Sequence, residues 1–139
     1  MSEENVEIVR RAHAEFLAGL SRGDFAAAFD SGTVAPDFEW IVPAAAPGLE
    51  AVYRGREGFI EFMRDWTEDF DWSIELQNAI DAGDGRVVVT THQRAIGKGS
   101  GAPVELVMGG LWTVESGHAT RAENFFDPAD AFEAAGLSE

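Results

Sequence analysis

A stretch near the end of the chain combines a small apolar surface with one hydrogen-bonding amide. Strand alternation within residues 117–128 places four side chains on one face, namely Thr120, Ala122, Asn124 and Phe126. If this face points inward, Asn124 is a buried amide, which must find hydrogen-bond partners or lose about 1–3 kcal/mol. A bound molecule can provide such a partner, so we predict that Asn124 and Phe126 line a ligand pocket.

Residues 86–96 carry the side chains best suited to proton transfer. Alternation puts Thr91 and Gln93 on one face of this predicted strand. It puts His92 and Arg94 on the other face, and it does not say which face meets a cavity. The first choice supplies neutral hydrogen-bonding groups, whereas the second places a base and a cation in the cavity, which is the more reactive arrangement.

A second candidate base, His13, belongs to the apolar stripe of the first predicted helix. The stripe repeats at spacings of three and four through Val6, Val9, His13, Phe16, Leu17 and Leu20. A histidine on such a stripe is more often a core residue than a catalytic base. Phe16, one turn away, is a candidate for the pocket lining.

Several familiar motifs are absent or lie in the wrong context. The G-K-G-S-G run at 97–101 joins two strands and opens no helix, so it predicts a hairpin turn rather than a phosphate-binding loop. There is no H-E-x-x-H motif, and His13, His92 and His118 do not pair at metal-ligand spacing. There is also no G-x-S-x-G motif and no cysteine. We therefore predict neither a metal site nor a cofactor.

Composition restricts the possible partners. The chain has 139 residues, which suits a single domain, and a formal net charge of −15 from 25 acidic and 10 basic residues. Because such a charge repels phosphate backbones, we expect no nucleic-acid partner. The acidic start is unlike a signal peptide, and no apolar run approaches the roughly 20 residues that a membrane helix needs. A cytoplasmic protein with no membrane contact is expected.

The first half of the chain predicts helices, then a strand and a loop. A short second helix follows Asp24, a predicted cap. Residues 37–42 have the alternation of a strand, with Trp40 on an apolar face that makes it a candidate for the pocket lining. The loop over 43–54 has the length of a flap, in which Tyr53 could cover a cavity mouth.

The third predicted helix, over 56–70, carries the most aromatic surface of the chain. Five large apolar side chains share one of its faces, namely Phe59, Phe62, Met63, Trp66 and Phe70. Packing on a sheet and lining a pocket both explain this face, and the two can hold at opposite ends of the helix.

The second half predicts a meander of long strands over 72–82, 86–96 and 102–115, followed by the strand that contains Asn124. Asp127 and Pro128 then predict the start of a short C-terminal helix. Helices first and strands afterwards indicate an α+β domain, with the helices packed on the concave face of a curved antiparallel sheet.

The strand from Val104 to Val114 is apolar on both faces. One face meets the helices, and the other also needs a cover. A second copy of the chain is the simplest cover, so we predict a homodimer through the open face of the sheet.

The order of elements and five short segments resemble the SnoaL-like domains of the NTF2-like superfamily. The segments are N-V-E-I-V-R-R at 5–11, G-D-F at 23–25, D-F-E-W at 37–40, Y-R-G-R-E-G at 53–58 and F-F-D-P-A-D-A at 125–131. The resemblance covers nearly the whole chain and implies the NTF2-like cone fold. It implies no single activity, because the superfamily includes polyketide cyclases, ketosteroid isomerases, epoxide hydrolases, dehydratases and binding proteins.

The resemblance also implies that the usual acid and base groups are replaced. Where ketosteroid isomerases resemble this chain, their tyrosine and two acidic residues correspond to Phe16, Val42 and Gly109. The aspartate that cyclases and epoxide hydrolases carry on the last strand corresponds to Asn124, which cannot accept a proton at neutral pH.

The epoxide hydrolases also carry an arginine and an aspartate on a middle strand, and these correspond to Thr91 and Gln93. The resemblance therefore implies that Thr91 and Gln93 face inward, with His92 and Arg94 facing outward.

Three hypotheses follow. The leading one is a pocket for a compact apolar small molecule, lined by Phe16, Trp40, Tyr53, Phe59, Met63, Trp66, Thr91, Gln93, Asn124 and Phe126. The second is a SnoaL-like cyclase, isomerase or hydrolase that uses His92 or His13 as its base. The third is a non-catalytic dimeric interaction module whose interior is filled by its own side chains.

Overall fold

The computed structural model describes residues 2–43, 49 and 51–137. Its elements are α1 (Ser2–Arg22), α2 (Ala27–Asp30), β1 (Val34–Ile41), β2 (Val52–Arg54), α3 (Gly55–Thr67), β3 (Phe70–Gly83), β4 (Arg86–Gly97), β5 (Pro103–Glu115), β6 (His118–Phe125) and α4 (Pro128–Ala134). The α+β class and the three helices in the first half are confirmed. Of the helices in these ranges, none has the length and apolar character needed to cross a membrane.

The described strands form one six-stranded sheet in the order β2-β1-β6-β5-β4-β3. Strands β3 to β6 make the expected antiparallel meander, but β1 pairs with β6 in parallel, so the sheet is mixed rather than wholly antiparallel. Alternation along a strand reports its buried face and carries no information on the direction of its neighbour. Because β1 and β6 are far apart in the chain, no hairpin imposes an antiparallel pairing on them.

The expected flap lies only partly within the described residues. Residues 44–48 and 50 fall outside them, and the end of the stretch forms β2 instead of a loop. Strand β2 pairs with β1, where Tyr53 lies opposite Trp40. Tyr53 is buried and contacts Phe62 with ring centroids 5.4 Å apart, so it belongs to the core and does not cover a cavity mouth.

The ends of the short helices show where local sequence rules hold. Asp127 accepts a hydrogen bond from the backbone N–H of Ala129 at 3.0 Å, and Pro128 opens α4 as expected. The expected cap of α2 is wrong, because that helix begins at Ala27 without a side-chain cap. Asp24 instead accepts from the backbone N–H of Ala26 at 3.1 Å, within the turn that precedes the helix.

Helices α1 and α3 pack on one face of the sheet, which we call the inner face. The core between them includes five side chains that are almost wholly buried, namely Val9, Phe38, Phe59, Val87 and Trp112. The stripe predicted for α1 and most of the aromatic face predicted for α3 meet in this core. The expectation for Phe70 is wrong, because α3 ends at Thr67 and Phe70 begins β3. Burial of so many aromatic side chains provides much of the free energy that stabilises the domain.

Helix α4 packs on the opposite, outer face of the sheet. It contacts the outward-facing Val88 and Leu111 through Ala131 and Ala135. The chain therefore covers one end of its own open face. At the other end Ile96 and Val107 remain exposed.

Gly109 sets how closely α4 approaches β5. A Cβ atom at this position would lie 2.7 Å from the Pro128 Cα and 2.9 Å from the Ala131 Cβ. We expect Gly109→Ala to push α4 away and to lower the free energy of unfolding by about 1–3 kcal/mol, as measured by urea denaturation. Gly99→Ala is the matched control, since its Cβ would meet nothing within 4 Å. Equal stability of both variants would contradict this account of α4.

Candidate functional site

A cavity of about 80 Å³ lies between α1, α3 and the inner face of the sheet, and we call it the aromatic cavity. The described residues that line it are His13, Phe16, Leu17, Leu20, Trp40, Val42, Pro43, Phe59, Phe62, Met63, Trp66, Ile74, Val89, Thr91, Gln93, Met108, Gly109 and Asn124. At roughly 30 Å³ per molecule, this volume corresponds to about two or three waters. The interior is therefore not completely filled by side chains, which does not favour the third hypothesis.

Aromatic rings fix the shape of this cavity. Phe16 of α1 stacks on Phe59 of α3, with ring centroids 4.6 Å apart. Trp40 of β1 meets Phe59 edge to face at 5.3 Å and contacts Phe62 at 5.4 Å. Contacts of this kind restrict ring rotation, so the cavity has largely preformed walls.

Three buried polar atoms of the cavity residues have no hydrogen-bond partner among the residues that the structure describes. They are Nε2 of His13, Nε1 of Trp40 and Oε1 of Gln93. The indole N–H is a donor, the amide oxygen is an acceptor, and the imidazole nitrogen is either, according to its tautomer. Because an unpaired buried group costs about 1–3 kcal/mol, a molecule that pairs with all three gains substantial affinity.

The structure resolves which face of β4 meets the cavity. Thr91 and Gln93 are buried and line it, and the Gln93 Nε2 donates to Thr91 Oγ1 at 3.1 Å. This bond uses the amide nitrogen of Gln93 and leaves its oxygen for another donor. The orientation implied by the family resemblance is the one observed.

Asn124 lines the cavity, yet it already has a protein partner. Its Nδ2 donates to the backbone carbonyl of Ile41 at 2.8 Å. Ladder pairing between β1 and β6 reaches Ile41 and Glu123, so this bond extends the parallel pairing by one side chain. Asn124 therefore joins two strands, and no side-chain hydrogen bond among the described residues uses its Oδ1 atom.

His13 is a neutral group at physiological pH. It is buried against Trp112, with ring centroids 5.2 Å apart. Burial disfavours the imidazolium and lowers the pKa of His13 from 6.5 to about 4. Together with Thr91, Gln93 and Asn124, it makes the polar part of the lining uncharged near pH 7.

His92 lies on the outer face of the sheet and does not line the cavity. Its Nε2 bonds to Glu105 of β5, and the Arg94 Nε donates to the same carboxyl at 3.4 Å. These bonds, first that of His92 and then that of Arg94, lower the pKa of Glu105. His92 therefore cannot act as a base on a molecule in the cavity. Of the two proposed bases, only His13 lines the cavity.

A family model for the SnoaL-like domain matches residues 13–122. The chain belongs to the SnoaL-like domain family. The matched range contains His13, Trp40 and Gln93, which carry the three unpartnered polar atoms of the cavity. It ends at Ala122, two residues before Asn124.

Solved structures place this SnoaL-like domain in the NTF2-like fold. An NTF2-like protein of Burkholderia pseudomallei K96243 is 26% identical with a TM-score of 0.71, covering 96% of this chain and 97% of that one. TerC, co-crystallised with polyporic acid, is 25% identical with a TM-score of 0.73 over 96% and 98% of the two chains. An epoxide hydrolase of the limonene-epoxide-hydrolase-like type from Mycobacterium tuberculosis shares the fold, at 19% identity and a TM-score of 0.62 over 96% and 90%. No curated protein matches the chain significantly.

Two residues of the predicted lining lie outside the cavity of this SnoaL-like domain. Tyr53 is buried in the core, where its ring packs against that of Phe62. Phe126 is 40% exposed, because β6 ends at Phe125 and the chain then turns toward α4. Alternation predicted its face correctly only as far as the strand continues.

The lining of the aromatic cavity also includes residues that the sequence did not predict to lie there. Leu17 and Leu20 lie on the same helical stripe as Phe16, so their spacing already carried that signal. Ile74, Val89 and Met108 come from three adjacent strands, and only the sheet register brings them to one surface. Within residues 2–43, 49 and 51–137, no three His, Asp or Glu side chains are grouped closely enough to hold a metal ion.

The lowered pKa of His13 has a measurable consequence. The unfolded chain binds a proton near pH 6.5 and the folded chain only near pH 4, so His13 makes the domain less stable as the pH falls below about 7. We expect this to lower the free energy of unfolding by about 1 kcal/mol between pH 7.5 and pH 5.5. His13→Gln should lose that part of the pH dependence in urea denaturation.

The same pKa can be read directly by NMR. The imidazole signals that are missing from His13→Gln should not titrate between pH 5.5 and pH 8 in the wild-type protein. A midpoint near 6.5 for those signals would contradict the burial argument.

Proposed function

We propose that this SnoaL-like domain binds a compact, largely apolar small molecule in the aromatic cavity. The observation that carries the proposal is that three residues of one apolar cavity, His13, Trp40 and Gln93, each have a buried polar atom without a partner among the described residues. Such atoms destabilise a folded protein unless something pairs with them. Preformed apolar walls with a few polar groups are the usual features of a small-molecule site.

The polar groups describe the part of the ligand that enters the cavity. It needs an acceptor for the Trp40 indole N–H and a donor for the Gln93 amide oxygen. One hydroxyl group on an apolar ring can supply both roles. Because none of the described lining residues is charged near pH 7, this part of the ligand should be neutral.

The relationship to TerC supports the same function. TerC was co-crystallised with polyporic acid, and its structural match to this chain covers almost the whole of both chains. A member of this structural group can therefore hold an organic molecule.

Phenol and toluene provide a matched pair for the first test, because they have the same ring and differ in one polar group. We expect phenol to raise the melting temperature more than toluene does. In Trp40→Phe or Gln93→Leu, phenol should bind about five- to tenfold more weakly, because one hydrogen bond is lost, while toluene binding should not weaken.

Arg94→Gln is the control for this test, since it changes the outer face of the strand that carries Gln93. Both ligands should bind it as they bind the wild-type protein. The proposal would be abandoned if neither compound stabilised the domain, or if the cavity variants and Arg94→Gln gave the same affinities.

A catalytic role for His13 is the second candidate function, in a SnoaL-like cyclase, isomerase or hydrolase. Its support is that His13 lines the cavity and that its Nε2 atom has no partner among the described residues. A base with a pKa of about 4 is fully deprotonated at pH 7, but it holds an abstracted proton weakly, so binding is the better supported function. An activity lost in His13→Gln with unchanged substrate affinity would favour catalysis.

We also propose that a second copy of the chain covers the free end of the outer face, giving a homodimer. There Ile96 is 55% exposed and Val107 is 45% exposed, beyond the part that α4 covers. A dimer should be seen by light scattering at micromolar concentration, and Val107→Glu should shift it to monomer. Wild-type protein that is monomeric under these conditions would contradict the homodimer.

A further inference from the structure

A second space adjoins the aromatic cavity and is much wider. It has a volume of about 560 Å³ and lies between the end of α1, the end of α3 and the start of β3, and we call it the vestibule. Three residues, Leu17, Leu20 and Ile74, line both spaces. These half-buried side chains are therefore the boundary between the aromatic cavity and the vestibule, and we call them the gate residues.

The two spaces differ in chemistry. The lining of the aromatic cavity is apolar or neutral, whereas the vestibule also presents Ser21 and Lys98. Asp71 and Ser73 border it along β3, but they pair with Ile96 and Arg94, so their side chains lie on the outer face. Lys98 is the only lysine of the chain, and no ion pair within the described part of the chain involves it. A molecule that spans both spaces would thus meet an apolar environment at one end and a hydrophilic one at the other.

One aromatic wall continues through the boundary. Trp66 lines the aromatic cavity and Trp72 lines the vestibule, and their rings stack with centroids 4.6 Å apart and planes 16° apart. The Trp72 Nε1 also donates to the backbone carbonyl of Trp66 at 2.8 Å, which fixes the pair. A ligand can therefore keep contact with aromatic surface along its length.

The two spaces also differ in size. At about 80 Å³ the aromatic cavity is too small for a whole organic ligand, and the adjoining vestibule is the larger space. We propose that the ligand is amphipathic, with a neutral ring-like head in the aromatic cavity and a hydroxyl-bearing end in the vestibule, and that it enters between the gate residues. This rests on the proposed function and adds the class of ligand and its direction of binding.

The test uses three phenols with one head and different ends, namely phenol, 4-ethylphenol and 4-(2-hydroxyethyl)phenol. The indole N–H signals of the tryptophans, assigned by Trp→Phe variants, report the position of each compound by NMR. All three should shift the signal of Trp40, and the two with an extended end should also shift that of Trp72. The hydroxyethyl compound should bind about three- to tenfold more tightly than 4-ethylphenol.

Variants test the two halves of the vestibule argument. Ser21→Ala should reduce the preference for the hydroxyethyl end, whereas Ser73→Ala, whose side chain lies on the outer face opposite Arg94, should retain it. For the gate, Leu20→Phe should slow phenol association in stopped-flow fluorescence and Leu20→Ala should accelerate it. Circular dichroism checks that each variant is folded.

Failure of this inference is distinct from failure of the proposed function. If phenol shifts the Trp40 signal but the hydroxyethyl compound binds no better than 4-ethylphenol, or leaves Trp72 unchanged, the inference is overturned and the proposed function stands. If association rates are the same in both Leu20 variants, the gate is overturned. If none of the compounds shifts Trp40, the proposed function fails as well.

Discussion

The stacked contact between Phe16 and Phe59 holds the two main helices at a fixed distance above the sheet. Phe16 comes from α1 and Phe59 from α3, and their rings also contact Phe38, Trp40 or Trp112 on the strands below. Large rings cannot interpenetrate, so helices held apart by such contacts leave space wherever no side chain reaches. The aromatic cavity is this remaining space, and its position depends on the ring contacts.

The cavity also has a cost that the rest of the core must offset. His13 and Gln93 place polar atoms in apolar surroundings, and each unpaired atom lowers stability. The neutral state of His13 limits this cost, because an unpaired imidazolium would be far less favourable in the same position. Departures of this kind from an all-apolar core are typical of binding sites, where function takes precedence over local stability.

Alternation along β4 places neutral polar side chains on the inner face of the sheet and titratable or charged ones on the outer face. On β4, Thr91 and Gln93 supply neutral groups to the cavity, while His92 and Arg94 bind Glu105 on the outer face. A shift of one residue in register would exchange the two sets. The uncharged cavity therefore depends on the register of β4 against β3 and β5 as much as on residue types.

The sequence by itself determined the α+β class, the stripe of α1, the aromatic face of α3 and the capped start of α4, because periodicity and capping act between residues close in the chain. Eight of the side chains that it placed in a ligand pocket line the aromatic cavity, namely Phe16, Trp40, Phe59, Met63, Trp66, Thr91, Gln93 and Asn124, and their contact with a ligand stays a prediction. Only the tertiary structure decided that β1 runs parallel to β6. It also decided that Tyr53 is buried, that Phe126 lies beyond the strand and that Asn124 bonds to β1. These outcomes depend on contacts between residues distant in the chain, and such contacts leave no local pattern.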